Sequence, residues 1–137
     1  MIVFNYETDF KLENEAKISD WISSCIEKYN FSEGELNYIF CDDDYLHKLN
    51  VEFLNHDTLT DIISFDYTMG SLISGDIFIS IERVRENALK LSQTYDNEIN
   101  RVIIHGILHY CGFKDKTKEE KFKMRAEEDS CLALLTN

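Results

Sequence analysis

Two histidines four positions apart, His105 and His109, are the residues of this chain best suited to chemistry. Four helical positions span roughly 400°, so the two imidazoles project from one helix face, within about 40° of each other. Gly112 follows where such a helix would end, because glycine adopts the left-handed conformation after a helix without cost. Asp115 is the first donor group after that turn. Two nitrogens, one oxygen and a free fourth position are typical of a catalytic zinc site, so the spacing predicts one bound zinc, or another divalent metal.

Taken alone, the histidine pair is also compatible with a buried core helix, and the glycine turn and the returning acid favour the metal site over it. The stretch HGILHYCGF, residues 105–113, adds a resemblance. It is similar to the signature His-Gly-x-Leu-His-Leu-x-Gly-Tyr-Asp-His of the YbeY family of ribosomal-RNA maturation endoribonucleases. Lys114 stands where the family usually has Asp, and Asp115 where it has its third metal-binding histidine. The carboxylate lowers the positive charge of the site, which predicts a less acidic metal-bound water or a harder metal.

A second segment carries the same resemblance. Leu49-Asn50 and the stretch TDIISF, residues 60–65, are similar to the family's helix-end asparagine and its Pro-Thr-Asp-Val-Leu-Ser-Phe strand entry. Leu59 replaces the proline, and Leu54 stands where the family has a functionally implicated arginine. The alternative interpretation of this segment is a buried strand with a capped entry. Candidates for substrate binding or support are Thr60, Asp61, Ser64, Lys114 and Lys116.

The resemblance implies a metal-dependent endoribonuclease that cleaves single-stranded ribosomal RNA during small-subunit maturation. Ribosomal RNA and the small ribosomal subunit would be its partners, and a metal-bound water would be the nucleophile, with no general base identified. A small zinc peptidase is disfavoured, because Gly106 stands where the helical zinc proteases carry their glutamate base. The other alternative is a non-catalytic metal-binding ribosome-assembly factor, which Leu54 and the acidic composition favour.

Charge is distributed unevenly. The net charge of −12 argues against a nucleic-acid partner, whose phosphates are normally bound by Lys and Arg. Residues 1–60 carry 13 acids and 4 bases, whereas the segment from Lys114 to Arg125 carries six bases and three acids. That basic segment adjoins the predicted metal site, so RNA binding remains compatible with the sequence. A solvated helix face with mixed charges is the alternative.

Length and composition predict one domain spanning residues 1–137, since 137 residues with 44% hydrophobic content suffice for a single core. We expect a cytoplasmic protein with no membrane partner and no nucleotide cofactor, because the chain has no basic leader and no long apolar run. The four cysteines are widely spaced, which favours reduced thiols.

Hydrophobic periodicity predicts an α+β domain. Strands are expected at Ile2–Tyr6, Leu36–Cys41, Thr60–Tyr67 and Gly75–Ser80, with Gly34 breaking the first helix from the second strand and residues 67–74 forming a loop. Ser80 is expected to cap a helix, and Thr117 and Glu120 have capping-box spacing. The resemblance implies a four-stranded mixed sheet packed with about five helices, including a metal helix like that of zinc proteases.

Overall fold

A computed structural model describes residues 1–135, so the last two positions of the predicted domain lie outside the described residues. Four strands form one mixed sheet in the order β1-β2-β4-β3. They are β1 (Ile2–Tyr6), β2 (Ser32–Cys41), β3 (Ile62–Asp66) and β4 (Leu72–Ser80). Strand β2 runs parallel to β1 and β4, and the edge strand β3 is antiparallel to β4. The predicted four-stranded mixed sheet is confirmed.

Five helices pack around this sheet within the described range, as predicted. They are α1 (Glu15–Lys28), α2 (Asp43–Leu54), α3 (Ile81–Lys90), α4 (Tyr95–Tyr110) and α5 (Lys118–Leu135). Successive strand residues point to opposite faces of a sheet, and the two faces bury different clusters. Ile77 and Ile79 of β4 join the main core with α1, α4 and α5, whereas Phe78 packs in a small cluster around Leu46 of α2.

Polar caps begin α3 and α5 where the sequence predicts them. The Ser80 hydroxyl accepts from the backbone N–H of Arg83 at 3.2 Å, which starts α3. The Thr117 hydroxyl accepts from the Glu120 N–H at 3.1 Å, and the Glu120 carboxylate accepts from the Thr117 N–H at 2.9 Å. This reciprocal pair is a capping box, and it fixes where α5 begins.

Several predicted strand ends were wrong. Strand β3 is shorter than the predicted Thr60–Tyr67, because its pairing with β4 covers only Ile62–Asp66, whereas pairing between β2 and β4 extends the start of both of those strands. Strand β2 begins at Ser32, so Gly34 lies inside the strand instead of breaking the chain before it. A Cβ on Gly34 would clash with the Ser74 hydroxyl and lie 2.7 Å from the Ile73 carbonyl oxygen, so the glycine permits a close approach of β2 and β4. Strand β4 begins at Leu72 instead of Gly75, which shortens the predicted loop.

Candidate metal centre

Helix α4 positions the two histidines by packing closely on the sheet. A Cβ on Gly106 would lie 3.0 Å from Ile77 Cδ1 and 3.3 Å from Ile62 Cδ1, so the glycine lets this helix approach β4 and β3. The neighbouring Ile107 is fully buried in the main core. His105 and His109 flank this buried side, and their side chains retain 21% and 31% of their exposure. The histidines therefore lie at the border between the core and solvent.

The turn after α4 returns the carboxylate to these histidines. Gly112 has φ of +99°, a conformation that favours glycine, and its N–H donates to the His109 carbonyl at 3.0 Å. The N–H of Phe113 donates to the Leu108 carbonyl, also at 3.0 Å, which closes the helix end. The chain then runs back to Asp115 before the capping box at Thr117 begins α5.

The three side chains converge on one point. The Nε2 atoms of His105 and His109 lie 3.0 Å apart, and each lies 3.2 Å from Asp115 Oδ2. Three ligand atoms of a tetrahedral zinc ion, each about 2.0–2.1 Å from the metal, would be about 3.3–3.4 Å from one another. The observed triangle needs only a small expansion to hold such an ion, and its nitrogen and oxygen atoms suit zinc or a neighbouring divalent metal.

Glu128 of α5 supports this triangle from behind. Its Oε2 lies 2.6 Å from His105 Nδ1, so the carboxylate fixes the tautomer that leaves Nε2 free for a metal. Burial lowers the pKa of His105, but the Glu128 hydrogen bond and the charges of Glu128, Asp115 and Asp61 outweigh it, so the net shift is upward.

Arg101 holds Glu128 in turn. Its guanidinium donates to Glu128 Oε1 at 2.9 Å and to Asp129 Oδ1 at 2.6 Å. Both Arg101 and Glu128 are less than a tenth exposed. Sequence reasoning missed both residues, although one indication was available: Arg101 precedes His105 by four positions, as His105 precedes His109, so all three share a helix face.

A pocket of ≈ 290 Å³ opens beside His105. Its charged lining residues are Asp61, Glu98, Arg101, Asp115, Arg125 and Glu128. Burial raises the pKa of both Asp61 and Glu98, and nearby positive charges only partly oppose it. Glu98 Oε1 is buried and has no hydrogen-bond partner within the described part of the chain.

The predicted supporting residues lie in different places. Asp61 lines the pocket, the Thr60 hydroxyl bonds the Ile62 carbonyl, and Ser64 lies on β3 opposite Ile77. Lys114 and Lys116 are exposed, and Lys114 lines a separate depression beside Cys111 and Phe113. The structure thus brings Asp61, but neither lysine, into the pocket beside the histidines. Leu54, at the end of α2, is 42% exposed.

Comparison with known proteins decides the family. The family model described as Endoribonuclease YbeY matches residues 3–136. The chain belongs to the YbeY family. Its relatives include the Endoribonuclease YbeY of Flavobacterium johnsoniae, 59% identical over 98% of this chain and 96% of the relative, and that of Christiangramia forsetii, 53% identical over 97% and 93%.

A solved structure agrees with the YbeY fold. The solution structure of TM1509 from Thermotoga maritima covers 97% of this chain and 90% of its own, with a TM-score of 0.66 and 25% sequence identity. The family resemblance stated from the two sequence segments is therefore confirmed over nearly the whole chain. Among residues 1–135, no helix is long and apolar enough to cross a membrane.

Proposed function

We propose that this YbeY protein is a metal-dependent endoribonuclease that cleaves single-stranded ribosomal RNA during small-subunit maturation, acting as one cytoplasmic domain. The observation that carries the proposal is the convergence of His105, His109 and Asp115, within 3.2 Å of one another, in a chain whose relatives are named endoribonucleases. A shared ion is what such a triangle can hold, and phosphodiester hydrolysis is chemistry that a bound metal assists.

His105, His109 and Asp115 are the proposed ligands, with zinc as the proposed ion. When bound, the ion would supply Lewis acidity toward a phosphoryl oxygen and lower the pKa of a water. Glu128 holds the His105 ring by accepting from Nδ1, and Arg101 fixes Glu128. The role proposed for both residues is to position the His105 ligand.

The RNA backbone would enter through the pocket beside His105. Arg125 is the exposed cation that lines this pocket, so its guanidinium is placed to bind a phosphate oxygen. Asp61 lines the same pocket, next to the proposed ligands. The role proposed for Lys114 and Lys116 is a weaker one, a contact with RNA outside the pocket, because both side chains are exposed.

The alternatives fit less well. A zinc peptidase would lack its base, because the residue after His105 is Gly106, and a Cβ there would lie only 3.0 Å from Ile77 Cδ1. A non-catalytic assembly factor is not favoured, since the relatives are named for nuclease activity. Each alternative predicts a different outcome for the experiment below.

The test is cleavage of a single-stranded RNA by metal-loaded protein, with metal content measured by mass spectrometry. We expect one divalent ion per chain, cleavage of RNA and none of denatured casein. His109→Ala should lose most of the bound metal and most of the RNA cleavage, because it removes one of three proposed protein ligands. His56→Ala is the matched control, because His56 is exposed and distant in sequence from the triangle.

Asp115→His tests whether the carboxylate is a ligand. Restoring the family's histidine should retain the ion, whereas Asp115→Ala should weaken its binding about 10–100-fold. RNA cleavage that survives His109→Ala would contradict the proposal, as would full metal binding by Asp115→Ala.

A further inference from the structure

One face of α5 carries three cations and a phenyl ring, and only one of these residues, Arg125, lines the pocket beside the proposed metal ligands. Lys118, Lys121, Phe122 and Arg125 are spaced by three, four and seven positions, which places them within roughly 100° on the helix. All four are exposed, and Phe122 is 79% exposed. We call these four residues the α5 strip.

The protein core does not explain Phe122. The buried positions of α5 are Met124, Glu128 and Cys131, which share one face of the helix, and the strip borders that face at Lys121 and Arg125. Phe122 precedes Met124 by two positions, or about 200° of rotation, so its ring points away from the core. A single exposed phenyl ring needs no explanation, but a ring flanked by three cations on one helix face is the pattern that binds stacked bases and phosphates.

The strip is continuous with the pocket of the metal centre. Arg125 belongs to the strip and also lines the pocket that contains His105 and Asp115. Asp129, one helical turn after Arg125, is bonded to Arg101 at 2.6 Å. The charge of Arg125 acts to lower the pKa of Glu98, another residue of this pocket, so the guanidinium lies near the pocket interior. A strand that crosses the strip would therefore arrive at the proposed ligands.

Charge favours RNA as the occupant. The chain has a net charge of −12, and most of its surface repels phosphate. The strip presents three positive side chains, and the acid that follows it on the same helix face, Asp129, is bonded to Arg101. An acidic strand with stacking bases is complementary to this combination, since cations bind its phosphates and an aromatic ring binds any base.

We propose that the α5 strip binds single-stranded RNA and guides it into the metal centre. One base stacks on Phe122, and Lys118, Lys121 and Arg125 contact the phosphates around it. This inference rests on the proposed function, because the strand bound on the strip is the substrate of the metal site.

The opposite side of α5 supplies matched controls. Lys123 lies across the helix from the strip, with its Nζ 5.8 Å from the centre of the Phe113 ring. Leu89 of α3 is 77% exposed, close to the exposure of Phe122, and Lys90 beside it is an exposed cation. Substitutions at these positions change exposed apolar area or charge without touching the strip.

The experiment measures binding of a fluorescein-labelled oligouridylate of about 12 nucleotides to metal-free protein in a chelator, so that no cleavage occurs. Phe122→Ala should weaken binding by about 5–10-fold, and Leu89→Ala should leave it unchanged. Lys121→Gln and Arg125→Gln should each reduce the slope of log affinity against log salt by about 0.7, whereas Lys123→Gln and Lys90→Gln should not. Circular dichroism checks that each variant is folded.

The outcomes separate this inference from the proposed function. If metal-loaded wild type cleaves RNA but the strip variants bind RNA as tightly as their controls, the inference about the α5 strip is wrong and the proposed function stands. If strip variants lose affinity while metal-loaded wild type cleaves nothing, the strip stands and the function fails. If Phe122→Ala abolishes self-association in sedimentation and leaves RNA affinity unchanged, the face binds protein and the inference is overturned.

Discussion

Arg83 and Arg101 each bond a largely buried carboxylate, and the two clusters differ in what lies beyond that carboxylate. Asp43 accepts from Arg83 at 3.0 Å and from the Ser80 hydroxyl at 2.7 Å, so both of its oxygens bond groups at the start of α3. Glu128 accepts from Arg101 through one oxygen, and its other oxygen meets His105. The Arg83 cluster therefore joins the start of α2 to the start of α3, whereas the Arg101 cluster extends to His105, a proposed metal ligand.

Carboxyl groups near the two arginines have pKa values shifted in opposite directions. Burial would raise the pKa of Asp43, but the bonds from Ser80 and Arg83 outweigh it and lower that pKa. Near Arg101, burial prevails over the arginine's charge and raises the pKa of Glu98. A carboxylate with both oxygens bonded stabilises the fold, and a buried one that lacks a partner costs stability. Glu98 lines the pocket beside the proposed metal ligands, and its buried Oε1 lacks a hydrogen-bond partner within residues 1–135. Functional sites commonly contain such a group at a cost in stability.

The largest effect should come from Glu128→Ala. Arg101 would lose a buried partner and His105 its orienting carboxylate, so we expect about 3 kcal/mol lower stability and about 10–100-fold weaker metal binding. Urea unfolding and chelator competition measure the two effects. Asp129→Ala is the control, because Asp129 also bonds Arg101 but its side chain is 60% exposed and does not bond His105. If Glu128→Ala binds the metal as tightly as wild type, Glu128 does not support a metal ligand, and the Arg101 and Arg83 clusters would not differ in this respect.

Asp43→Asn should affect stability and leave metal binding unchanged. Removing the charge weakens the bonds from Arg83 and Ser80, which predicts about 1.5–3 kcal/mol lower stability near neutral pH. Because the folded pKa of Asp43 is depressed, its stabilisation is present above the unfolded pKa of about 3.9 and is lost as the pH falls through the folded value. Unfolding curves of wild type and variant should therefore converge in acid. A constant difference at every pH would show that charge is not the cause.

Glu98→Gln should have the smallest effect, with the opposite sign. The folded pKa of Glu98 is raised, so its carboxyl is most favourable below the unfolded pKa and destabilises the metal-free fold as the pH rises through the folded value. We expect the variant to be about 1 kcal/mol more stable near neutral pH and similar to wild type in acid. Thermal unfolding at both pH values tests this, with the exposed Glu86→Gln as control. If Glu98→Gln is less stable than wild type at neutral pH, the Glu98 carboxylate stabilises the fold, as that of Asp43 does, and the prediction is wrong.

Much of the fold could be predicted because its determinants are local. The capping box at Thr117 and the Ser80 cap are readable from a few neighbouring residues, and both are present. Strand ends are different, since pairing with another strand sets them. Gly34 was expected to break the chain, yet the approach of Ser74 from β4 makes it part of β2.

The three proposed ligands could be predicted from the sequence because they are close together along the chain, whereas the residues that support them could not. His105, His109 and Asp115 lie within one helix end and its turn, so spacing alone brings them near one another. Glu128 lies 23 positions after His105, and its place depends on how α5 packs on α4. The direction of the turn likewise put Lys114 beside Cys111 and Phe113, away from the pocket where its charge was expected to act.

The sequence by itself determined which side chains share a helix face, where the caps lie and to which family the chain belongs, because periodicity and short motifs are properties of neighbouring residues. Only the tertiary structure decided that Glu128 and Arg101 support His105, that Asp61 and Glu98 line one pocket, and that Arg125 faces it. Those contacts join helices and a strand that are distant along the chain, and the packing of these elements on the sheet sets their distances.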